Sequence, residues 1–189
     1  MSKSEILLFI ALLPPQDIQE RANQIKQHFA DNYQSRRAFK SPPHITLQPP
    51  FEWEKADLPI LVQHLEKFSS NQINIPVTIE GFGAFPPRVI YLKPLKTPEL
   101  MSIQKALATY LENSLNIIHK PSKNRPFSPH VTVALRDLTK KNFHLAWEEF
   151  EHRQFSAKFT IPRLTLLIHK DKKWEIAQEF NFLQNQTMD

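Results

Sequence analysis

Cysteine is absent from the 189-residue sequence. That excludes disulfide scaffolds, thiolate zinc sites, iron–sulfur ligation and cysteine nucleophiles, and it is compatible with the reducing cytoplasm. Glycine is almost as scarce, with Gly81 and Gly83 as the only two. No third glycine follows them, so neither a phosphate-binding P-loop nor a dinucleotide fingerprint can be assembled. Long hydrophobic runs are missing too: no stretch approaches the ~20 apolar residues needed to cross a bilayer. The apolar run at residues 6–13 ends in Pro14-Pro15 rather than at a small-residue cleavage site, so it reads as a buried strand and not as a signal peptide. A soluble, cytoplasmic, monomeric chain without membrane contact is the expectation.

What the sequence does contain is enough for a core. Hydrophobic residues make up 41% and aromatic residues 11%, which at this length supports one compact domain and argues against disorder. Lys and Arg number 24 against 19 Asp and Glu, a formal charge of +5. That mild excess favours anionic partners such as nucleotides or RNA.

Apolar periodicity predicts a strand at 6–12 and a helix after Pro14-Pro15 carrying Ile18, Ala22, Ile25 and Phe29 on one face. A strand follows at 44–47, then a helix capped by Asp57, then a strand at 73–79. The same order restarts with a strand at 89–92, a helix opened by Thr97-Pro98, a strand at 130–135, a helix capped by Thr139 and a strand at 155–161. The starts at 6, 15, 44, 57 and 73 are matched by 89, 98, 130, 140 and 155, offsets of 83, 83, 86, 83 and 82. Such near-constant spacing is what a duplicated unit leaves behind. The reading is therefore a single bilobal α/β (α+β) domain over 1–189, with a duplicated β-α-β-α-β unit arranged about a pseudo-twofold axis. Its lobes are 5–82 and 88–162, and a C-terminal hairpin over 163–182 has no counterpart in the first lobe.

At equivalent places in the two lobes stand Pro43-His44-Ile45-Thr46-Leu47 and Pro129-His130-Val131-Thr132-Val133. Strand side chains alternate faces, so His and Thr at i and i+2 project together while Ile45 or Val131 points into packing. Packed about a twofold axis, the lobes would bring two imidazoles and two hydroxyls to one cleft. That set suits in-line displacement at phosphorus without a metal: one base takes a proton from the attacking oxygen, and one acid opposite gives a proton to the leaving oxygen. An ordinary imidazole pKa of ~6.5 lets one histidine be neutral while its partner is protonated. Threonine hydroxyls can donate to the non-bridging phosphate oxygens.

Two His-x-Thr motifs about half a chain apart in an α/β protein of this size resemble the 2H phosphoesterase superfamily, and most closely its 2′-5′ RNA ligase, or LigT-like, branch. The surrounding residues fit: Phe51 after Pro49-Pro50, the Gly81-Phe82-Gly83-Ala84-Phe85-Pro86-Pro87-Arg88-Val89 stretch, and Phe127-x-Pro129-His130 leading to Arg136-Asp137-Leu138. The resemblance covers nearly the whole chain. It departs at Arg136, six residues beyond His130, where familiar members carry a basic residue five beyond. It implies a bilobal fold with mainly antiparallel sheets lining a central cleft. It also implies catalysis by His44, Thr46, His130 and Thr132, and metal-independent hydrolysis of RNA 2′,3′-cyclic phosphate ends to 2′-phosphates. Run backwards, the same chemistry gives 2′-5′ ligation. Either histidine could be acid or base, because the duplication makes them nearly interchangeable; His44 is taken as acid and His130 as base.

Substrate-binding candidates are Arg136, Arg125, Phe127, Arg88, Phe85 and Lys40. The basic loops at 36–40 and 120–125 both enter motif strands and could track a phosphate backbone, and Phe85 and Phe127 could stack on a base. His28, His64, His119, His144, His152 and His169 lack the threonine partner and read as solvated or structural. No cofactor is called for, and a zinc site is disfavoured because neither motif has a second histidine at helical spacing or a carboxylate cluster nearby. The partner expected is RNA or a nucleotide ending in a 2′,3′-cyclic phosphate. Two other readings stay open: a small-molecule cyclic phosphodiesterase acting on an ADP-ribose cyclic phosphate or 2′-5′ oligoadenylates, and a non-catalytic RNA-binding module.

Overall fold

The computed structural model describes residues 4–123 and 125–183. Its first strand, β1 (Glu5–Leu12), shows why the opening apolar run lacks polar alternation. Leu8, Ile10 and Leu12 enter the main core, whereas Phe9, Ala11 and Leu13 join a smaller cluster with Leu167 and Trp174 on the other face. A strand buried on both sides needs no polar stripe.

The chain continues through α1 (Gln16–Tyr33), a 3₁₀ turn at Arg37–Lys40, β2 (Ile45–Glu54), α2 (Leu58–Ser69), β3 (Ile75–Phe85) and β4 (Val89–Pro94). Then come α3 (Pro98–Leu115), the single turn α4 (Lys120–Lys123), β5 (Val131–Leu135), α5 (Lys140–Phe150), β6 (Ser156–Ile161), β7 (Arg163–Lys170) and β8 (Lys173–Asn181). Thr97 and Thr139 cap α3 and α5 by accepting from the amides of Leu100 and Asn142. Asp57 precedes α2 but makes no side-chain cap bond. β2 runs further than periodicity alone suggests, through Pro49-Pro50 to Glu54. The ladder to β1 slips between Leu8–Phe51 and Ile10–Gln48, so the prolines sit where no ladder amide is required.

Scarce glycine leaves left-handed backbone to other residues. Gln34 (φ 58°) and Asn116 (φ 55°) end α1 and α3 in that conformation. Asp171 (φ 48°) and Lys172 (φ 65°) make the two-residue turn between β7 and β8, the hairpin geometry usually given to Asn-Gly. A left-handed residue bearing a side chain costs about 1–2 kcal/mol.

The strands form one continuous antiparallel sheet in the order β6-β3-β4-β5-β2-β1-β7-β8. One ladder pair, Ile45 with Val131, joins its two halves at the centre. The sheet departs from the strand matching expected from sequence, in which 155–161 is the second lobe's counterpart of 73–79. β3 sits beside β4 and β7 sits beside β1, so β7 and not β6 holds the place equivalent to β3, while β6 pairs outside β3. One half of the sheet thus takes β3 from the first lobe, and the other takes β7 and β8 from the C-terminal hairpin. β6 passes into β7 through the single residue Pro162, which requires the two ends of the sheet order to curl towards one another. Bonds from the Phe182 amide to Pro162 and from the Leu183 amide to Gln72 fasten that closure. The face carrying Ile45 and Val131 looks into the main core with Phe29, Leu65, Leu107 and Phe143 of the helices. No helix among the described residues is long and apolar enough to cross a membrane.

Helices α1 and α5 are locked by Phe29 stacked on Phe150 (4.6 Å) and by Glu149, which accepts from Tyr33 Oη (2.6 Å) and bonds His28 and Arg153. Burial pushes the Glu149 pKa up, but the bonds from Tyr33 and His28 and the charges of His28 and Arg153 outweigh it and hold the carboxyl below its ordinary value. A depressed carboxylate stabilises the fold above its unfolded pKa and loses that contribution as pH falls through the folded value. Glu149→Gln is therefore expected to lower stability by about 1 kcal/mol at pH 7. Melting curves across pH should show the gap to the parent protein closing in acid; a gap that persists unchanged below pH 3 would contradict the assignment.

Candidate active site

The register at Ile45–Val131 fixes the site. In an antiparallel pair centred there, His44 stands opposite Thr132 and Thr46 opposite His130, all four on the face turned away from the core. Diagonal neighbours in such a pair have backbone carbons about 7–8 Å apart, which leaves room between the imidazoles for one tetrahedral phosphorus group.

The proline of each Pro-His pair has a structural role that the sequence signature only hinted at. His44 Nδ1 lies 2.7 Å from the Pro42 carbonyl and His130 Nδ1 lies 2.8 Å from that of Ser128, two residues back in both cases. Pro43 and Pro129, with their fixed φ, span the intervening position. A carbonyl oxygen only accepts, so each Nδ1 carries a hydrogen and donates it. Each Nε2 is then the nitrogen left for chemistry.

Both imidazoles are half-buried. Burial drives the His44 pKa down to about 4; the bond to Pro42 opposes this, and the positive charges of Lys26 and His130 add to it. Lys26 is itself buried in α1, donates to the Ser41 carbonyl at 3.0 Å, and has its pKa lowered by burial to about 8. Burial also lowers the His130 pKa, against the bond to Ser128.

A cavity of about 610 Å³ opens over this face, lined by His44, Thr46, Thr132, Lys40 and Arg136 among others. His130 is not part of the lining: its ring meets Phe85 edge-on (5.2 Å) and tilts against Tyr91 (5.5 Å). Phe127 packs against the main core, and Arg88 and Arg125 are exposed and line none of the cavities described. Asn124 of the second basic loop lies outside the described residues. Arg37 of the first basic loop also lines the cavity, together with His169 and with Lys172, Trp174 and Phe9, three residues that sequence reasoning passed over. His169, read as solvated or structural, stands on the cavity with its ring 5.0 Å from Trp174. A second cavity of about 660 Å³, lined by Lys67, Lys105 and Tyr110, contains no motif residue. Among the described residues no cluster of three His, Asp or Glu side chains is arranged to hold a metal.

Arg136 follows β5 in left-handed backbone (φ 54°), with its amide bonded to the Arg88 carbonyl. The next carboxylate, Asp137, accepts from Ser35 Oγ (2.8 Å) and from the amides of Arg36 (2.7 Å) and Arg37 (2.8 Å). It ties the 3₁₀ turn that carries Arg37 and Lys40 to the end of the second motif strand. The signal was in the sequence, as an aspartate beside a candidate phosphate ligand, but its partners are about a hundred residues away.

The 2′-5′ RNA ligase superfamily model matches residues 14–173 of this chain. A Bacillus licheniformis protein named "Putative phosphoesterase" is 31% identical over 175 residues, 90% of this chain and 95% of its own. A similarly named protein of Bacillus cytotoxicus is 29% identical over 185 residues, 92% and 95% of the two chains. Among solved structures, E. coli LigT complexed with 3′-AMP superposes with a TM-score of 0.70 at 19% identity, covering 96% of this chain and 100% of that one. A Thermus thermophilus protein, TT0787, gives 0.69 at 17% identity, covering 95% and 99%. At these identities the two structures show a shared fold.

Tyr91, which backs His130, needs the glycine beneath it: a Cβ at Gly83 would lie 2.5 Å from the ring. Gly83→Ala is therefore expected to push Tyr91 into His130, costing about 1–3 kcal/mol of stability and lowering turnover. Adding Tyr91→Val should restore the melting temperature. A Gly83→Ala protein that melts and turns over like the parent would contradict this packing.

Proposed function

Because the chain belongs to the 2′-5′ RNA ligase superfamily and is a phosphoesterase of the paired-histidine type, we propose that it hydrolyses 2′,3′-cyclic phosphates of RNA ends or nucleotides to 2′-phosphates without a metal. The observation that carries this reading is the pairing of two Pro-His-x-Thr strands at Ile45–Val131, with both Nδ1 atoms tied back and both Nε2 atoms free to exchange protons. The shared fold of LigT, known in complex with 3′-AMP, supports a nucleotide as ligand.

In this mechanism water attacks phosphorus from the His130 side and gives its proton to His130 Nε2. The bond from phosphorus to the ribose 3′ oxygen breaks, and that oxygen takes a proton from His44 Nε2. The phosphate stays on the 2′ oxygen, and one proton has passed in effect from His44 to His130, to be returned through solvent. Thr46 and Thr132 donate to the non-bridging oxygens, whose negative charge Arg136 also faces across the cavity. With an RNA 5′-hydroxyl in place of water, the same displacement leaves a 2′-5′ linkage.

The RNA and small-molecule readings differ in their use of the basic loops. Arg37 and Lys40 of the first loop line the cavity, whereas no described residue of the 120–125 loop does. This favours a substrate read mainly at its cyclic-phosphate end over one tracked along both loops.

The pH profile provides the test. An ordinary histidine pair would give kcat/KM limbs flanking neutrality, but kcat/KM reports the free enzyme, in which both imidazole pKa values lie below the usual 6.5. The expected profile is a bell with its maximum between about pH 4 and 6.5, unchanged by excess chelator. A maximum above pH 7, or activity lost to chelator and recovered with added metal, would overturn the reading.

A further inference from the structure

The two motifs are alike, but the cavity they share is not. On the His130 side, Phe85 and Tyr91 close against the imidazole. Beyond His44 the wall is built by Phe9 of β1 and by the β7–β8 hairpin. The tight turn at Asp171-Lys172 sets the hairpin register, pairing His169 with Trp174 and leaving Lys172 at the tip, on the cavity. Trp174 is braced edge-on by Phe9 (centroids 4.6 Å apart) and by His169 (5.0 Å), and Phe9 in turn lies 4.8 Å from the His44 ring. An aromatic path thus leads from the reacting imidazole to the hairpin.

Charge adds a second, independent observation. The cavity lining includes four permanent cations, Arg37, Lys40, Arg136 and Lys172, and no carboxylate. The neighbouring Asp137 already accepts from Ser35 and from the amides of Arg36 and Arg37. A cyclic phosphodiester brings one negative charge, fewer than this wall is built to meet. The fit is to a ligand with a flat aromatic group and a second phosphate.

We propose that the β7–β8 hairpin is a nucleotide subsite in which Trp174 stacks the base of the nucleotide bearing the cyclic phosphate and Lys172 pairs with that nucleotide's 5′-phosphate. The placement of the cyclic phosphate rests on the phosphodiesterase reading above. The subsite orders the histidines, which the duplicated motifs leave nearly interchangeable. With the nucleoside held on the hairpin, its ribose reaches the phosphorus from the His44 side. The departing ribose oxygen is then next to His44, and in-line attack must come from the His130 side.

Binding is measured apart from turnover by calorimetric titration of the full chain with three probes: methyl riboside 2′-phosphate, adenosine 2′-phosphate and adenosine 2′,5′-bisphosphate. The expected dissociation constants fall about tenfold on adding the base, as one base–aromatic contact supplies, and fall again on adding the 5′-phosphate in a salt-sensitive way. Trp174→Ala should erase the first gain and Trp174→Phe should keep most of it. Lys172→Glu, at an exposed turn where folding is not at stake, should erase the second gain alone. A parent protein that binds the three probes equally, or variants that keep both gains, would overturn the subsite. Hydrolysis of adenosine 2′,3′-cyclic phosphate is assayed separately. Its absence with the binding pattern intact would remove the phosphodiesterase reading and leave the subsite standing.

Discussion

One backbone pairing, Ile45 with Val131, holds the chemistry together. It is the only ladder pair between the two halves of the sheet among the described residues, and both side chains are wholly buried in the main core. Their burial decides which face of each strand looks inward. A slip of one residue in either strand would send its histidine and threonine into the core and its aliphatic residue into the cleft. The proposed catalytic set is thus positioned by the same hydrophobic contacts that join the halves.

The electrostatics follow from that placement. Strands that meet at the centre of a curled sheet hold their imidazoles half-buried on its outer face, and desolvation lowers both pKa values. The lowered values favour neutral imidazoles beside the arginines and lysines of the cavity wall, a field that suits an anionic ligand without first charging either histidine. In the proposed mechanism, an arriving phosphate anion offsets the desolvation and lets one imidazole hold the proton that the leaving oxygen needs. Lys26, buried behind Ser41, adds positive charge on the His44 side, so the field around the two histidines is unequal although their motifs are alike.

The parts legible in the sequence were those set by local rules. Period-two alternation put His44 with Thr46 and His130 with Thr132, and helix stripes and threonine caps located α3 and α5. The mixed α/β fold with antiparallel strands was legible through the family resemblance. What stayed hidden depends on partners distant in the chain. Nothing in the 155–161 segment says that it will lie against β3 at an edge while β7 takes the place beside β1. Trp174, Lys172 and His169 read as ordinary hairpin residues until β7 docks on β1 and turns them towards the cleft. Phe127 was a candidate for stacking by its place beside the motif; its ring packs on the core. Asp137 gave no sign of its bonds to residues 35–37, because those arise only when α1 and β5 meet.

The claim that matters most is that His44 and His130 act in one step on one phosphorus. The direct measurement is a double-mutant cycle on single-turnover hydrolysis of a nucleoside 2′,3′-cyclic phosphate, comparing His44→Ala, His130→Ala and the double variant. Each single change is expected to slow the reaction about 10²–10⁴-fold, with the double variant little slower than either, because removing one member of a concerted pair already disables the other. Penalties that multiply, or a single variant with near-parent turnover, would mean that the two imidazoles do not form a catalytic pair.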